Sequence, residues 1–111
     1  MARFIHEGKS IDYTPAGDTA AGTVVVQGEL VGVAARDIKA NKLGALAVSG
    51  VIDFPKATGA LTGISAGALC YWDAANQRAV LNAASGANKL IGKSVIAAGD
   101  TDATVRIRMS Q

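Results

Sequence analysis

The stretch Gly44-Ala45-Leu46-Ala47-Val48-Ser49-Gly50-Val51-Ile52-Asp53-Phe54-Pro55-Lys56 constrains this chain more than any other. Two apolar runs flank Ser49-Gly50, and a two-residue glycine-containing loop between such runs predicts a β-hairpin. In that register Val48 faces Val51, Ala47 faces Ile52, Leu46 faces Asp53 and Ala45 faces Phe54. One face then carries the small–large pairs Ala47/Ile52 and Ala45/Phe54, the pattern of an interdigitated core layer. The other joins Leu46, Val48 and Val51 to Asp53, a mixed surface suited to solvent or to a partner.

The remaining chain repeats this kind of unit. Thr23-Val24-Val25-Val26 reads as a β-branched strand, Gly28-Glu29 as a tight turn, and Leu30-Val31-Gly32-Val33-Ala34 as the returning strand. A related phrase recurs at Ala66-Gly67-Ala68-Leu69-Cys70-Tyr71-Trp72 and Leu90-Ile91-Gly92-Lys93-Ser94-Val95-Ile96, with a turn at Asp73–Gln77 and a return strand at Arg78–Leu81 between them. The turn opening these units appears as Thr19-Ala20-Ala21-Gly22, Ile64-Ser65-Ala66-Gly67 and Ile38-Lys39-Ala40-Asn41. Its last residue is Gly or Asn, the types that tolerate positive φ. Ala35–Asn41 is the one helical candidate, and it lacks the periodicity to bury a face. Ala57–Gly63 reads as a loop, and Ala103–Met109 as a closing strand. The expected fold is all-β: a compact barrel or roll of short antiparallel hairpins with little or no helix. Residues 1–16 form an extended N-terminal arm with a first strand at Ser10–Thr14, and 17–111 form one β domain.

Chemistry is hard to assemble from these residues. The chain has 111 residues, half of them hydrophobic but only 5% aromatic, and a net charge of +2. Residues 1–56 carry six charges of each sign, and no cluster of Lys or Arg forms the cationic face that nucleic acid requires. Gly92-Lys93-Ser94 lacks the four-residue spacing of a phosphate loop and runs on into a strand. His6 is the only histidine, and no second ligand type gathers near it. Asp100-Thr101-Asp102 has the composition of a turn, and the remaining aspartates are scattered. Cys70 is a lone thiol in an apolar run, read as buried and inert. Tyr71 and Trp72 are adjacent in a strand and point to opposite faces, one to the core and one outward; the sequence leaves open which. No catalytic residue, cofactor or metal site is expected. No stretch has the length of a membrane span or of a signal peptide's apolar core, so synthesis in a cytoplasm-like compartment is expected.

Taken in order, these segments resemble the bacteriophage capsid decoration, or cement, proteins. The resemblance rests on Gly8-Lys9-Ser10-Ile11-Asp12-Tyr13-Thr14, Ala21-Gly22 before a valine strand, Leu30-Val31-Gly32-Val33-Ala34 and Gly50-Val51-Ile52-Asp53-Phe54-Pro55-Lys56. It continues through Tyr71-Trp72-Asp73, Leu90-Ile91-Gly92 and the final Ala103-Thr104-Val105-Arg106-Ile107-Arg108. Thr23 and Asn41 depart from the pattern, both at turns. The resemblance implies a non-enzymatic protein, made in the host cytoplasm, that binds the exterior of the assembled head, commonly as a homotrimer. The implied partners are the major capsid protein and itself, with neither nucleic acid nor membrane. Arg3, Phe4, Ile5 and His6 are the capsid-contact candidates; Leu46, Val48, Val51 and Asp53 are the subunit-interface candidates. The alternative is a small β-barrel interaction module of another phage assembly, such as a tail component.

Overall fold

The structure, a computed structural model, describes residues 2–3 and 8–111. Nine strands follow one another: β1 (Ser10–Tyr13), β2 (Val24–Gln27), β3 (Leu30–Ala34), β4 (Gly44–Ala47), β5 (Gly50–Pro55), β6 (Leu69–Asp73), β7 (Arg78–Val80), β8 (Lys89–Ser94) and β9 (Thr104–Met109). The helical content among the described residues is a single 3₁₀ turn at Ala84–Gly86. The strands form two antiparallel sheets, a four-stranded one in the order β1-β4-β3-β2 and a five-stranded one in the order β5-β9-β8-β6-β7. The all-β expectation holds, and β2–β3 is the hairpin expected, with Gly28 at a positive φ of 60° in its two-residue turn.

The predicted hairpin at Gly44–Lys56 does not form. β4 pairs with β1 and β3, whereas β5 pairs along six residues with β9. Ser49-Gly50 is the point where the chain leaves one sheet for the other. Local turn chemistry loses here to long-range pairing: opposite β9, Ile52 and Phe54 meet Ile107 and Val105, a far larger apolar match than Ala47 offers. A closed barrel is also absent. The five-stranded sheet curls until its edges touch, but they meet only at the parallel bridge between Lys56 and Ala79. An extended N-terminal arm is not supported either, because Ser10–Tyr13 is an integral strand at the edge of the first sheet.

The two sheets are the same unit built twice. Strand order β1-β4-β3-β2 reappears as β5-β9-β8-β6, and the registers agree except for a bulge between Cys70 and Tyr71 in β6. Ile11, Asp12 and Tyr13 face Leu46, Ala45 and Gly44; Ile52, Asp53 and Phe54 face Ile107, Arg106 and Val105. Val33 and Ala34 face Ala47 and Leu46, as Lys93 and Ser94 face Arg108 and Ile107. The loops agree too. Thr19 and Ile38 exchange two backbone bonds of 2.7 Å, and Ile64 and Ala98 exchange two of 2.8 Å. The Gly22 N–H donates to the Ala34 carbonyl (2.6 Å) as that of Gly67 donates to the Ser94 carbonyl (2.8 Å). Gly22 and Gly67 have φ of 87° and 82°, the left-handed conformation that both opening turns need. Gly32 and Gly92 also correspond: a Cβ on Gly32 would lie 2.9 Å from Leu46 Cβ, and one on Gly92 only 2.0 Å from the Arg108 carbonyl oxygen. Close strand approach, not phosphate binding, explains Gly92-Lys93-Ser94.

What differs is the covering. Ile52, Phe54, Cys70, Ala98 and Ile107 lie in or against the main core, beside the Trp72 ring, whose centroid is 6.1 Å from that of Phe54. β7 is an insertion relative to the first unit; paired with β6, it adds Ala79 opposite Trp72 to the core on this face. The first unit has only the Gly28-Glu29 turn there. Its matching positions, Ile11, Tyr13, Val25, Leu46 and Ile38, form a separate small cluster in which the first three are only half-buried. The opposite face of the first sheet, Val24, Val26, Val31 and Val33, packs on the main core. Gln111 pins this junction by donating to the Val31 carbonyl (2.7 Å) and accepting from its N–H (2.6 Å). Trp72 is the core member of the aromatic pair, and Tyr71 is half-buried.

Candidate interaction surfaces

The interface candidates from the sequence are not one patch. Leu46 is 1% exposed and belongs to the small cluster of the first unit. Val48 is half-buried between the sheets, its N–H donating to the Lys9 carbonyl at 3.0 Å. Val51 and Asp53 lie on the second sheet, Val51 55% exposed. Because the hairpin is not formed, Leu46 and Asp53 do not share a face. Arg3 is exposed, while Phe4, Ile5 and His6 lie outside the described residues.

Asp53 is held by its cross-strand partner. Arg106 donates from Nε to Oδ1 (2.9 Å) and from Nη2 to Oδ2 (3.3 Å), and these hydrogen bonds hold the Asp53 carboxyl below its ordinary range. In the first unit the matching pair is Asp12 and Ala45, so no arginine lies over that strand. The grooves beside the two positions differ as well. Beside Ala45 opens a groove of about 430 Å³, lined by Arg36, Ile38, Lys42, Leu43 and Ala45 among others. Its duplicate, lined by Ile96, Ala98, Asp102, Ala103 and Arg106, holds about 240 Å³.

The loop between the units is the second surface. Lys56 is buried, and its ammonium donates to the Ala57 carbonyl (2.6 Å), the Asp102 carbonyl (3.1 Å) and Thr62 Oγ1 (3.3 Å). Three oxygen acceptors thus replace a counter-ion for the charge. Thr62 Oγ1 in turn donates toward Gly59 and Asp100 carbonyls, and Asp100 Oδ1 accepts from the Gly63 N–H at 2.7 Å. The loop is therefore tied to the turn at 99–102. On its tip stands Leu61, 97% exposed and at a φ of 66°, a conformation that strains a side chain larger than glycine. Neither Lys56 nor Leu61 stood out in the sequence; the available signal was a leucine framed by glycines at Gly59 and Gly63.

The residues weighed for chemistry have structural employment. Asp102 Oδ2 accepts from the Gly99 N–H (2.8 Å), so Asp100-Thr101-Asp102 is a turn. Burial pushes the Cys70 thiol upward in pKa, against a backbone hydrogen bond involving Ser94 that lowers it, which keeps it a packing residue. Among the described residues no cluster of His, Cys, Asp or Glu could hold a metal, and no helix is long and apolar enough to cross a membrane.

The described residues thus form a duplicated β-sheet unit that exposes apolar projections and grooves. The sequence model of the phage cement proteins matches residues 5–109, nearly the whole chain, and the chain belongs to that family. Comparison with curated proteins and with solved structures gives no significant match. The family is one of structural proteins of the phage capsid.

Proposed function

We propose that this protein decorates the exterior of the assembled phage head and stabilises it by bridging subunits of the major capsid protein, acting as a homotrimer. The family match over residues 5–109 carries the reading. Exposed apolar side chains are available for such contacts: Leu43, Val51, Leu61, Leu69, Leu81, Val95 and Ile96 are all solvent-facing. Bridging multiplies modest contacts, because a copy held at one capsid subunit meets the next at high effective concentration. Arg3, Phe4, Ile5 and His6 are placed against the capsid protein, and Val51 and Asp53 against neighbouring copies. Sedimentation with expanded capsids lacking the protein is the test. Co-sedimentation at micromolar concentration is expected, and a protein left in the supernatant overturns the proposal. Removal of residues 1–7 is expected to weaken that binding with the fold intact; unchanged binding removes the N-terminus from the contact.

A further inference from the structure

We propose that copies of this chain join through the first sheet, the outer edge of β2 in one copy adding to the outer edge of β1 in the next. Neither edge is flanked by another strand among the described residues. On the face that carries the small cluster, openness is confined to these two edge strands. Ile11 and Tyr13 of β1 and Val25 of β2 are half-buried, whereas Leu46 and Ala34 of the central strands are buried. The duplicate shows what closing the edges does at such positions. Val25 lies opposite Gly32 as Cys70 lies opposite Gly92, and Cys70, with β7 beside its strand, is buried. Tyr13 matches Phe54, whose strand runs on to the bridge between Lys56 and Ala79 of β7, and Phe54 is buried too. The second sheet thus brings its edges together within one chain. The first has no β7, and its two edges are left over.

Both edges are unguarded. Proline, lysine and bulges are the usual protection of an exposed strand edge, and neither β1 nor β2 carries any of them; Asp12 is their single charge. The edge strands of the second sheet carry Pro55 and Arg78. The occupant is a second copy because the two edges complete each other. Neighbours in the order β1-β4-β3-β2 are antiparallel throughout, so β1 and β2 run in opposite directions. β2 of one copy laid beside β1 of the next therefore continues the antiparallel ladder, with Val25 on the same face as Ile11 and Tyr13. The junction is heterologous and identical at every copy, so a ring satisfies both edges of every sheet at once. A foreign strand on β2, or β2 paired with itself, leaves β1 open. The inference rests on the self-association in the reading above, but not on capsid binding.

Light scattering during size exclusion, over a concentration series, tests it with the unaltered protein, Ile11→Lys, Val25→Lys and a mixture of the two variants. In a lone copy a lysine at a half-buried edge position reaches water along its flexible stem, so the thermal midpoints should move little. Once a neighbouring strand covers the position the charge is trapped, and each variant alone should associate at least about tenfold more weakly. The mixture discriminates. Ile11→Lys keeps an intact β2 and Val25→Lys an intact β1, so together they should form a one-to-one pair and stop there. A monomeric unaltered protein overturns the proposal, as does association that survives either substitution; survival in Ile11→Lys alone marks β2 pairing with itself. A mixture that stays monomeric overturns it as well. Hydrogen exchange in the unaltered protein needs no substitution. Protection at Ser10–Tyr13 and Val24–Gln27 should rise with concentration, and protection independent of concentration overturns the proposal. Capsid sedimentation separates the readings. A monomer that sediments with capsids leaves decoration standing and removes this contact, and an associating chain that stays off capsids does the reverse.

Discussion

The first sheet and the second share strand order, register and loop hydrogen bonds, yet one encloses a core and the other leaves its matching face half open. Tyr13 and Phe54 occupy the same place, as do Leu46 and Ile107, but Phe54 is buried whereas Tyr13 is half-buried. The cause is a length difference at one hairpin. Between β2 and β3 the chain spends two residues, Gly28 and Glu29; between β6 and β8 it spends fifteen, including β7. That excursion adds Ala79 opposite Trp72 of β6, so both join the second sheet's core. The lesson is that a strand scaffold fixes where side chains point, while covering elements decide whether they become core or surface.

The largest effect that separates the units is expected at the paired glycines. Gly92→Ala places Cβ against the Arg108 backbone carbonyl, where no side chain can yield, and should destabilise by about 4 kcal/mol or more. Gly32→Ala meets the Leu46 side chain and should stay within about 1–3 kcal/mol. Equal losses in urea titrations break the comparison at its backbone. Phe54→Ala should remove about 3–5 kcal/mol, as for a fully buried aromatic, and Tyr13→Ala less than half of that. If Tyr13→Ala matches it, the first unit's face is as closed as the second's.

Lys56→Met keeps the buried stem and removes the ammonium, leaving the Ala57 and Asp102 carbonyls without that donor; a loss of about 2 kcal/mol is expected. The same variant should raise hydrogen exchange at Gly59 and Gly63, the amides bonded to Asp100. Unchanged exchange shows the loop to be held without its lysine.

The smallest effect concerns the cross-strand pair found only in the second unit. Asp53 has a lowered folded-state pKa, so the folded state binds its proton less readily than the unfolded chain. The stabilisation is therefore complete above the unfolded carboxylate value of about 3.9 and is lost as pH falls through the lower folded value. The gap in thermal midpoint between the unaltered protein and Asp53→Asn should be small, steady near neutral pH, and should vanish in acid. Both side chains are about half exposed, which keeps the gap modest. A gap that persists at low pH assigns the effect to something other than this ion pair.

Much of the architecture was legible from local pattern. The β-branched runs became strands, Gly28-Glu29 became a hairpin turn, and the opening turns placed Gly22, Gly67 and Asn41 at positive φ. The repeated Ala-Gly turns and the two apolar pairs before Gly32 and Gly92 were visible as repetition. Ile11-Asp12-Tyr13 and Ile52-Asp53-Phe54, which match just as well, were divided between an arm and a hairpin. That division hid the duplication of the whole sheet. Candidate contact residues were less legible. Leu46 alternates with Asp53 only in a pairing that never forms, and nothing local distinguishes Lys56 from any surface lysine.

By itself, then, the sequence determined most of the strands, their turns and the family to which the chain belongs. Those properties follow from nearest-neighbour geometry and residue chemistry, which short segments carry within themselves. Tertiary structure alone decided that β4 and β5 part company at Ser49-Gly50, that Leu46 is interior, and that Leu61 stands outward beside an engaged Lys56. Each of these depends on competition among distant partners of similar local suitability, and that competition is settled by the total apolar surface buried rather than by any one turn.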